Sequence, residues 1–347
     1  MDLIRCCQNK SKSNTILFHQ NIRGLTNKLD EISIITQRNC IDPQLFCFTE
    51  HHLKKFEIDK LFLEDYVLAS SFCRETSLGG GVCILINQRL KYKAITLGSF
   101  CHEKTFEVCA VKLSLESQEI VVLCIYRAPS GDLVHFFLLL EQLLDHLLQP
   151  RVTFIVCGDI NINLSSNSNE ALKLLTLMST YNLTQIVDFP TRIAKNSETL
   201  LDVLFIDTTI YVNVQIKPFI NGLSDHDAQV LCLTKLKLSF KQKAPRTQSR
   251  LINDMTINSF LSELKDELWD QVINSFNTNE IFNLFLDTLI KHFEAVFPTV
   301  YTDRRNRQNN WISKGIRISC GKKRDLYTNV EITEIIFKWL DIIRNIA

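Results

Sequence analysis

A series of polar side chains, made up of acids, amides, a tyrosine and a histidine, directly follows apolar segments along the first two thirds of the chain. Its members are Asn21, Glu50, Tyr126, Asp159, Asn161, Asp202, Asp225 and His226. A single carboxylate in such a position is more often a turn former or a cap than a functional group. The repetition is informative, because segment after segment ends in a side chain that can bind a hard metal ion or move a proton.

The oxygen-rich members of this series are suitable ligands for Mg²⁺, which prefers carboxylate and amide oxygens. They are Glu50, Asp159, Asn161 and Asp225. His226 can accept a proton, because the ordinary pKa of histidine lies near neutral pH, and Asp202 can hold it in one tautomer. The set indicates metal-assisted phosphoryl transfer, which needs both a clamp for developing charge and a proton acceptor.

Other chemistries fit the sequence poorly. Ser224 lies beside Asp225 and His226, but the Gly-x-Ser-x-Gly elbow of a serine hydrolase does not occur. The 12 cysteines include no Cys-x-x-Cys pair and mostly lie in apolar runs, which favours reduced, buried thiols over zinc ligands or disulfides. The net charge is only +1, so any contact with nucleic acid must come from a local patch.

Short runs rich in Val, Ile, Phe and Cys alternate with a few helical patterns between residues 14 and 239. Many strands with few helices predict two packed sheets with helices outside them. A stretch rich in Lys, Gln, Pro, Arg and Ser near residues 241–250 indicates a linker. Apolar residues at helical spacing beyond it predict a helical region.

The ordered strings around the polar series resemble the successive motifs of the endonuclease/exonuclease/phosphatase superfamily. These strings are Gln20–Leu25, Phe48–Glu50, Ile125–Pro129, Gly158–Asn161, Leu201–Val203 and Ser224–His226. Gly-Asp-x-Asn and Ser-Asp-His, in order after an early Asn and Glu, carry most of the resemblance. It implies an α+β fold, a four-layer α/β sandwich of two mostly antiparallel sheets flanked by helices, here followed by a C-terminal helical region.

The resemblance also implies a metal site. Glu50 resembles the principal ligand, Asn21 orders the site beside it, and Asp225 resembles the late acid of the same site. The expected cofactor is Mg²⁺, with Mn²⁺ as an alternative. Arg23 stands where abasic-site repair endonucleases have an aspartate, so a repair function is disfavoured.

The resemblance assigns the remaining motif residues to catalysis. Asp159 resembles the acid that handles the attacking water or the leaving group, and Asn161 resembles its partner. Tyr126 resembles a phosphate-contacting tyrosine, and Asp202 and His226 resemble a buried acid–histidine pair. Proton transfer is assigned to Asp159 and His226 jointly.

Three further strings resemble the endonuclease region of jockey-like non-LTR retrotransposons. They are Gly79–Gly81, Asp188–Arg192 with Thr199–Asp202 after it, and Trp311–Ile316, which resembles the segment before a reverse transcriptase. We therefore expect a Mg²⁺-dependent endonuclease that nicks double-stranded DNA to prime reverse transcription. Element RNA and a separate reverse transcriptase are further expected partners. The polymerase motif Tyr/Phe-Ala-Asp-Asp does not occur, so a truncated element copy or a split gene is the expected source.

Two alternatives remain open. One is a catalytically inactive, DNA-binding remnant of a retroelement, against which the presence of all eight motif residues argues. The other is a phosphatase of the same fold, for which no membrane-targeting segment or inositol-phosphatase motif is found.

The predicted organisation is an N-terminal tail at residues 1–13, the endonuclease/exonuclease/phosphatase domain at 14–239, a linker at 240–255 and the helical region at 256–347. Within the last, Arg304, Arg305 and Arg307 begin a basic stretch that is either a nucleic-acid contact or a solvated helix face. The lack of a signal peptide or a long apolar run predicts an intracellular protein, nuclear or cytoplasmic, without membrane contact.

Overall fold

The β-rich runs of the sequence form two six-stranded sheets in the computed structural model. The structure describes residues 14–115, 118–194, 197–211, 214–234, 236, 238–240, 247–250, 252–302, 315–316, 318–323 and 326. Two units are present, one formed by residues 1–241 and 309–347 and the other by residues 242–308.

The strands of the first unit are numbered in chain order. They are β1 Thr15–Asn21, β2 Leu45–Thr49, β3 Tyr66–Phe72, β4 Val82–Asn87, β5 Tyr92–Ile95, β6 Glu107–Ser114, β7 Glu119–Tyr126, β8 Val152–Asp159, β9 Thr184–Gln185, β10 Arg192–Ala194, β11 Ser197–Thr199, β12 Asp202–Ile206, β13 Val214–Phe219 and β14 Ala228–Leu233. The first sheet has the order β13-β14-β1-β2-β4-β3, and the second has the order β5-β6-β7-β8-β12-β9.

Both sheets are mostly antiparallel, as predicted. The parallel neighbours in them are β1 with β2 in the first sheet and β7 with β8 in the second. Strands β10 and β11 form a separate two-stranded ribbon. The helices of the first unit are α1 Leu29–Arg38, α2 Lys55–Ile58, α3 Leu133–Leu147 and α4 Asn169–Thr180.

The core of the first unit consists of three apolar layers. Leu17 and Val122 lie in the layer between the two sheets. Phe18 and Ile32 lie in the layer that α1 covers, and Phe136 of α3 lies in the layer outside the second sheet. Both faces of each sheet are thus buried, which explains why the strands read as nearly continuous apolar runs. The four-layer sandwich is confirmed.

Several of the cysteines contribute to these layers. Those predicted to behave as small apolar residues, Cys83, Cys109, Cys124, Cys157 and Cys232, are all buried, and the described cysteines are free thiols. Among the described residues, no helix combines the length and the apolar character needed to cross a membrane.

The two parallel strand pairs bring the functional side chains to one edge of the sandwich. Parallel strands end at the same edge, and antiparallel neighbours begin there. In register, Asn21 pairs with Thr49 and Tyr126 pairs with Asp159, while β12 begins with Asp202 opposite Asp159. Strand order therefore collects residues that are far apart in sequence.

The second unit contains helices and a short ribbon. Its helices are α5 Asp254–Asp266, α6 Asp270–Ile273 and α7 Thr278–Val296, and its strands are β15 Thr247–Arg250 and β16 Thr299–Thr302. The ring of Phe260 lies 5.9 Å from that of Phe293, and Trp269 stacks on Phe285 at 5.2 Å. Strand β15 and the start of α5 lie within the stretch predicted as a linker. The polar composition of this stretch gave no sign of strand β15, whose partner β16 lies about 50 residues further along the chain.

We predict that Gly158→Ala destabilises the fold. A Cβ at Gly158 would lie 1.8 Å from the carbonyl oxygen of Ile125 on β7, so the backbone would have to shift. The expected loss in the free energy of unfolding is about 3 kcal/mol, near the upper end for overpacking. Gly98→Ala is the matched control, because a Cβ there meets nothing within 4 Å. Equal denaturant midpoints for the two variants would contradict the close approach of β7 and β8.

Candidate active site

A single amide group joins the two sheets at the functional edge. Asn21, at the end of β1, is fully buried. Its Nδ2 donates hydrogen bonds to Oε1 of Glu50 at 2.9 Å and to Oδ2 of Asp159 at 2.7 Å. Glu50 follows β2 of the first sheet and Asp159 ends β8 of the second, so one donor orients a carboxylate from each sheet.

A buried acid–histidine pair lies beside this amide. Nδ1 of His226 lies 2.7 Å from Oδ2 of Asp202, and both side chains are almost inaccessible to solvent. Thr191 secures the start of β12, because its Oγ1 accepts the backbone N–H groups of Leu201 and Asp202 at 3.1 and 3.0 Å. This hydrogen bond is the contact through which Asp202 would orient His226, and that role stays a prediction.

The loop after β8 is held by Arg127. The Arg127 guanidinium donates to the carbonyl oxygens of Ile160, Gly131 and Asn161, each at 2.9 Å. Within the loop, the backbone N–H of Asn161 donates to Oδ1 of Asp159 at 3.0 Å. Arg127 therefore holds the backbone of the loop that carries Asp159 and Asn161.

Burial and charge shift the pKa values of the inner groups toward neutrality or above it. Burial, and then the charge of Asp202, raise the pKa of Asp159 to about 7. Burial lowers the pKa of His226, but the carboxylate of Asp202 outweighs it and raises the value to about 9. Groups tuned in this way can exchange a proton near physiological pH.

Glu50 is kept ionised at the mouth of the site. Burial opposes its charge, but hydrogen bonds from His52, Asn21 and Tyr126 outweigh this and lower the pKa of Glu50 to about 2. Burial, followed by the charges of Glu50 and Asp159, raises the pKa of Tyr126 far above its ordinary value, so its phenol remains a donor. Glu50 has a φ of 53°, in the left-handed region, which is a strained geometry often found at functional sites.

The carboxylate of Asp225 is paired with two arginines. Its Oδ2 accepts hydrogen bonds from Nη1 of Arg23 at 2.7 Å and from Nε of Arg192 at 2.9 Å. Burial would raise the pKa of Asp225, but the hydrogen bonds from Arg23 and Arg192 lower it below its ordinary value. Nε of Arg23 also lies 3.8 Å from Oε2 of Glu50. Arg23 thus links the two acids predicted to hold a metal.

A buried ion pair lies next to the ring of Tyr126. Nε of Arg74 lies 2.6 Å from Oε1 of Glu107, and both side chains are buried. Glu107 also accepts the backbone N–H of Gly81 at 2.6 Å, which ties the glycine string to β6. The Arg74 guanidinium lies 5.7 Å from the ring centre of Tyr126, within cation–π range. The sequence offered no signal for Arg74, because an isolated arginine in a loop is ordinary surface charge.

The outer group consists of the predicted metal ligands Glu50, Asn21 and Asp225. They carry oxygen atoms of the kind that hard divalent cations bind, and Oδ1 of Asp225 is buried without a hydrogen-bond partner among the described residues. A second group further inside comprises Asp159, Asp202 and His226, whose ligand atoms lie within 4.8 Å of one another. Hydrogen bonding between His226 and Asp202 already engages part of that inner group.

The structure therefore brings the eight predicted motif residues to one edge of the sandwich. One predicted group, the basic residues of the C-terminal region, cannot be placed. The basic residues Arg304, Arg305 and Arg307 lie outside the described residues. Arg192 and Thr191 were present in a string singled out in the sequence, but their contacts with Asp225 and β12 could not be derived from it.

Comparisons with known proteins agree with this architecture. A sequence profile for a family described as endonuclease-reverse transcriptase matches residues 120–230. The endonuclease domain of TRAS1, a telomere-specific non-LTR retrotransposon, is 14% identical, with 64% of this chain and 99% of that chain covered and a TM-score of 0.50. The AP endonuclease LMAP from Leishmania major is 14% identical, with 65% and 90% covered and a TM-score of 0.52. A search of curated proteins gave no match.

The profile match covers residues 120–230 of the 347-residue chain. The similarity to the two solved structures shows that this chain shares their fold.

We predict that the His226–Asp202 pair makes stability depend on pH. The pKa of His226 is raised from 6.5 to about 9, so its stabilising contribution is complete below pH 6.5 and is lost as the pH rises through 9. The free energy of unfolding should fall over that window by on the order of 2 kcal/mol. Denaturant titrations at several pH values measure it. The fall should be smaller in Asp202→Asn, because Asp202 is the largest of the groups that raise this pKa, and an equal fall in that variant would contradict the assignment.

Proposed function

We propose that this domain is a divalent-metal-dependent endonuclease that nicks DNA for a non-LTR retrotransposon. The observation that carries the proposal is the convergence of Glu50 and Asp159 on the amide of Asn21, next to the His226–Asp202 pair. The family description, endonuclease-reverse transcriptase, supports it. The similarity in fold to the TRAS1 domain, a retrotransposon endonuclease, points in the same direction.

The cation in this proposal is Mg²⁺, with Mn²⁺ as a substitute, held by Glu50 together with Asn21 and Asp225. Such an ion polarises a phosphoryl oxygen and offsets the charge that develops on it. Because the pKa of Glu50 is about 2, this ligand is ionised throughout the physiological range. Oδ1 of Asp225, which has no hydrogen-bond partner within the described part of the chain, would be a further ligand for the same ion.

Asp159 and His226 move the proton in the proposed reaction. Asp159, with a pKa of about 7, can take a proton from the attacking water. His226, with a pKa of about 9, is charged at neutral pH and can stabilise or protonate an oxygen of the phosphate. Asp202 holds His226 in orientation, Asn161 holds Asp159, and the protonated phenol of Tyr126 can donate to a phosphate oxygen.

The proposed substrate is double-stranded DNA, cut in one strand to leave a 3′-hydroxyl from which reverse transcription starts. Element RNA and a reverse transcriptase are the partners that this role requires. Action on chromosomal DNA would place the protein in the nucleus.

The first test is the nicking of supercoiled plasmid by the full chain. Wild-type protein should nick with Mg²⁺ or Mn²⁺ and stop when a chelator is added. Glu50→Gln should lower the rate at limiting Mg²⁺ by about 10²-fold or more, because it removes the charged ligand. Glu141→Gln, an exposed glutamate on α3, is the control and should nick at the wild-type rate.

Two outcomes would overturn the proposal. Wild-type nicking at Glu50→Gln under limiting Mg²⁺ would refute the metal assignment. A wild-type protein that binds DNA but never nicks it would favour the inactive DNA-binding remnant.

The second test concerns the proton-transfer pair. Asp159→Asn and His226→Ala should each reduce the nicking rate by on the order of 10²–10⁴-fold. The double variant should lose much less than the product of the two factors, because both groups serve one step. Single-turnover rates measure this, and denaturant midpoints check that each variant is folded. Fully multiplicative losses would show that the two residues act independently.

A further inference from the structure

Two arginines that the proposed reaction does not use converge on one carboxylate oxygen. Oδ2 of Asp225 accepts from Nη1 of Arg23 at 2.7 Å and from Nε of Arg192 at 2.9 Å. The side chains of Arg23 and Arg192 are 50% and 39% exposed, so both guanidinium groups remain open to a ligand. They lie at the mouth of the site, on the side of Glu50 and Asp225.

The backbone fixes Arg192 next to the catalytic histidine. Arg192 forms an isolated antiparallel bridge with His226. The N–H of Asp227 donates to the carbonyl oxygen of Thr191 at 2.8 Å. The string that contains Arg192 is thereby anchored at Thr191 and at Arg192 itself, which explains the position of this arginine at the site.

The backbone of Arg23 is held with similar precision. Its N–H donates to Oδ1 of Asn21 at 3.3 Å, and the N–H of Gly24 donates to the carbonyl oxygen of Glu50 at 2.8 Å. Arg23 has a φ of 44°, a left-handed conformation that aims its side chain across the site mouth. The chain thus tolerates local backbone strain at Arg23, and this conformation places the guanidinium group at the mouth of the site.

The two guanidinium groups keep further N–H donors beyond those that Asp225 accepts. Each phosphate of a nucleic-acid backbone carries one negative charge and offers oxygen acceptors to such donors. Arginine suits this role, because its planar fork matches the geometry of phosphate oxygens.

We propose that Arg23 and Arg192 form a phosphate-binding pair for the DNA backbone beside the scissile bond. Asp225 holds the two guanidinium groups in place until the substrate arrives. The identity of the ligand as DNA rests on the proposed function. The competing interpretation is that the two arginines serve only to anchor Asp225.

DNA binding without metal separates these interpretations. The full chain is titrated onto a fluorescent duplex in chelator, at several salt concentrations, and anisotropy gives the affinity. Arg23→Gln and Arg192→Gln should each weaken binding by about three- to tenfold and reduce the salt slope by about 0.9 for each phosphate that the variant no longer neutralises. Arg23→Lys should recover part of the affinity, because it restores the charge without the fork.

Two further variants make the test decisive. Asp225→Asn releases both arginines, so it should bind DNA at least as tightly as the wild type. Arg89→Gln removes one exposed arginine beyond β4, at the opposite edge of the sandwich, and should change affinity by less than about twofold. This control accounts for the change in net charge alone.

Either of two results would overturn the phosphate-binding pair. One is binding by Arg23→Gln and Arg192→Gln that matches Arg89→Gln. The other is a loss of affinity in Asp225→Asn equal to that of the arginine variants, as expected if the arginines only anchor Asp225. Because no cleavage occurs in chelator, either result is independent of nicking. A wild type that shows the predicted binding pattern but never nicks would refute the proposed function and leave the phosphate-binding pair standing.

Discussion

The site depends on one interaction, the pair of hydrogen bonds that the Asn21 amide donates to Glu50 and Asp159. Two carboxylates that lie this close repel each other, and a buried amide with two N–H groups is a compact way to hold both. Since Glu50 follows a strand of the first sheet and Asp159 ends a strand of the second, the same amide bridges the two sheets at this edge. The residues proposed for proton transfer and for metal binding are arranged around it.

Much of this architecture could be predicted because the sandwich buries both faces of its sheets. Strands such as Leu45–Thr49 are then continuous apolar runs, and the polar residue after each run marks the edge where the strand ends. The parallel pairing of β1 with β2 and of β7 with β8 then brings these strand ends together, because it places Asn21 near Glu50 and Tyr126 beside Asp159. The order of the motifs indicated the family, and the polar residues at the strand ends indicated the location of the candidate site.

The remaining features depend on contacts between residues far apart in the chain, which no local pattern encodes. Arg74 meets Glu107 across 33 residues, and Arg23 meets Asp225 across 202. The sequence placed Asp225 among the metal ligands, but it could not reveal that two arginines hold this carboxylate. The ribbon of β15 and β16 was not predicted for the same reason, since its two strands are far apart in the chain. In addition, a polar strand such as β15 contains no apolar run from which it could be predicted.

The central claim is that the Asn21 amide unites groups from two sheets into one active site, and Asn21→Leu tests it most directly. Leucine has a similar size but no donor, so the two carboxylates would lose their shared partner. The single-turnover nicking rate at saturating Mg²⁺ should fall by about 10²-fold or more. Gln44→Met removes another amide, which accepts the backbone N–H of Ile16 at the opposite edge of the sandwich, and its rate should stay within about threefold of the wild type for folded protein. Equal rates in the two variants would contradict the account.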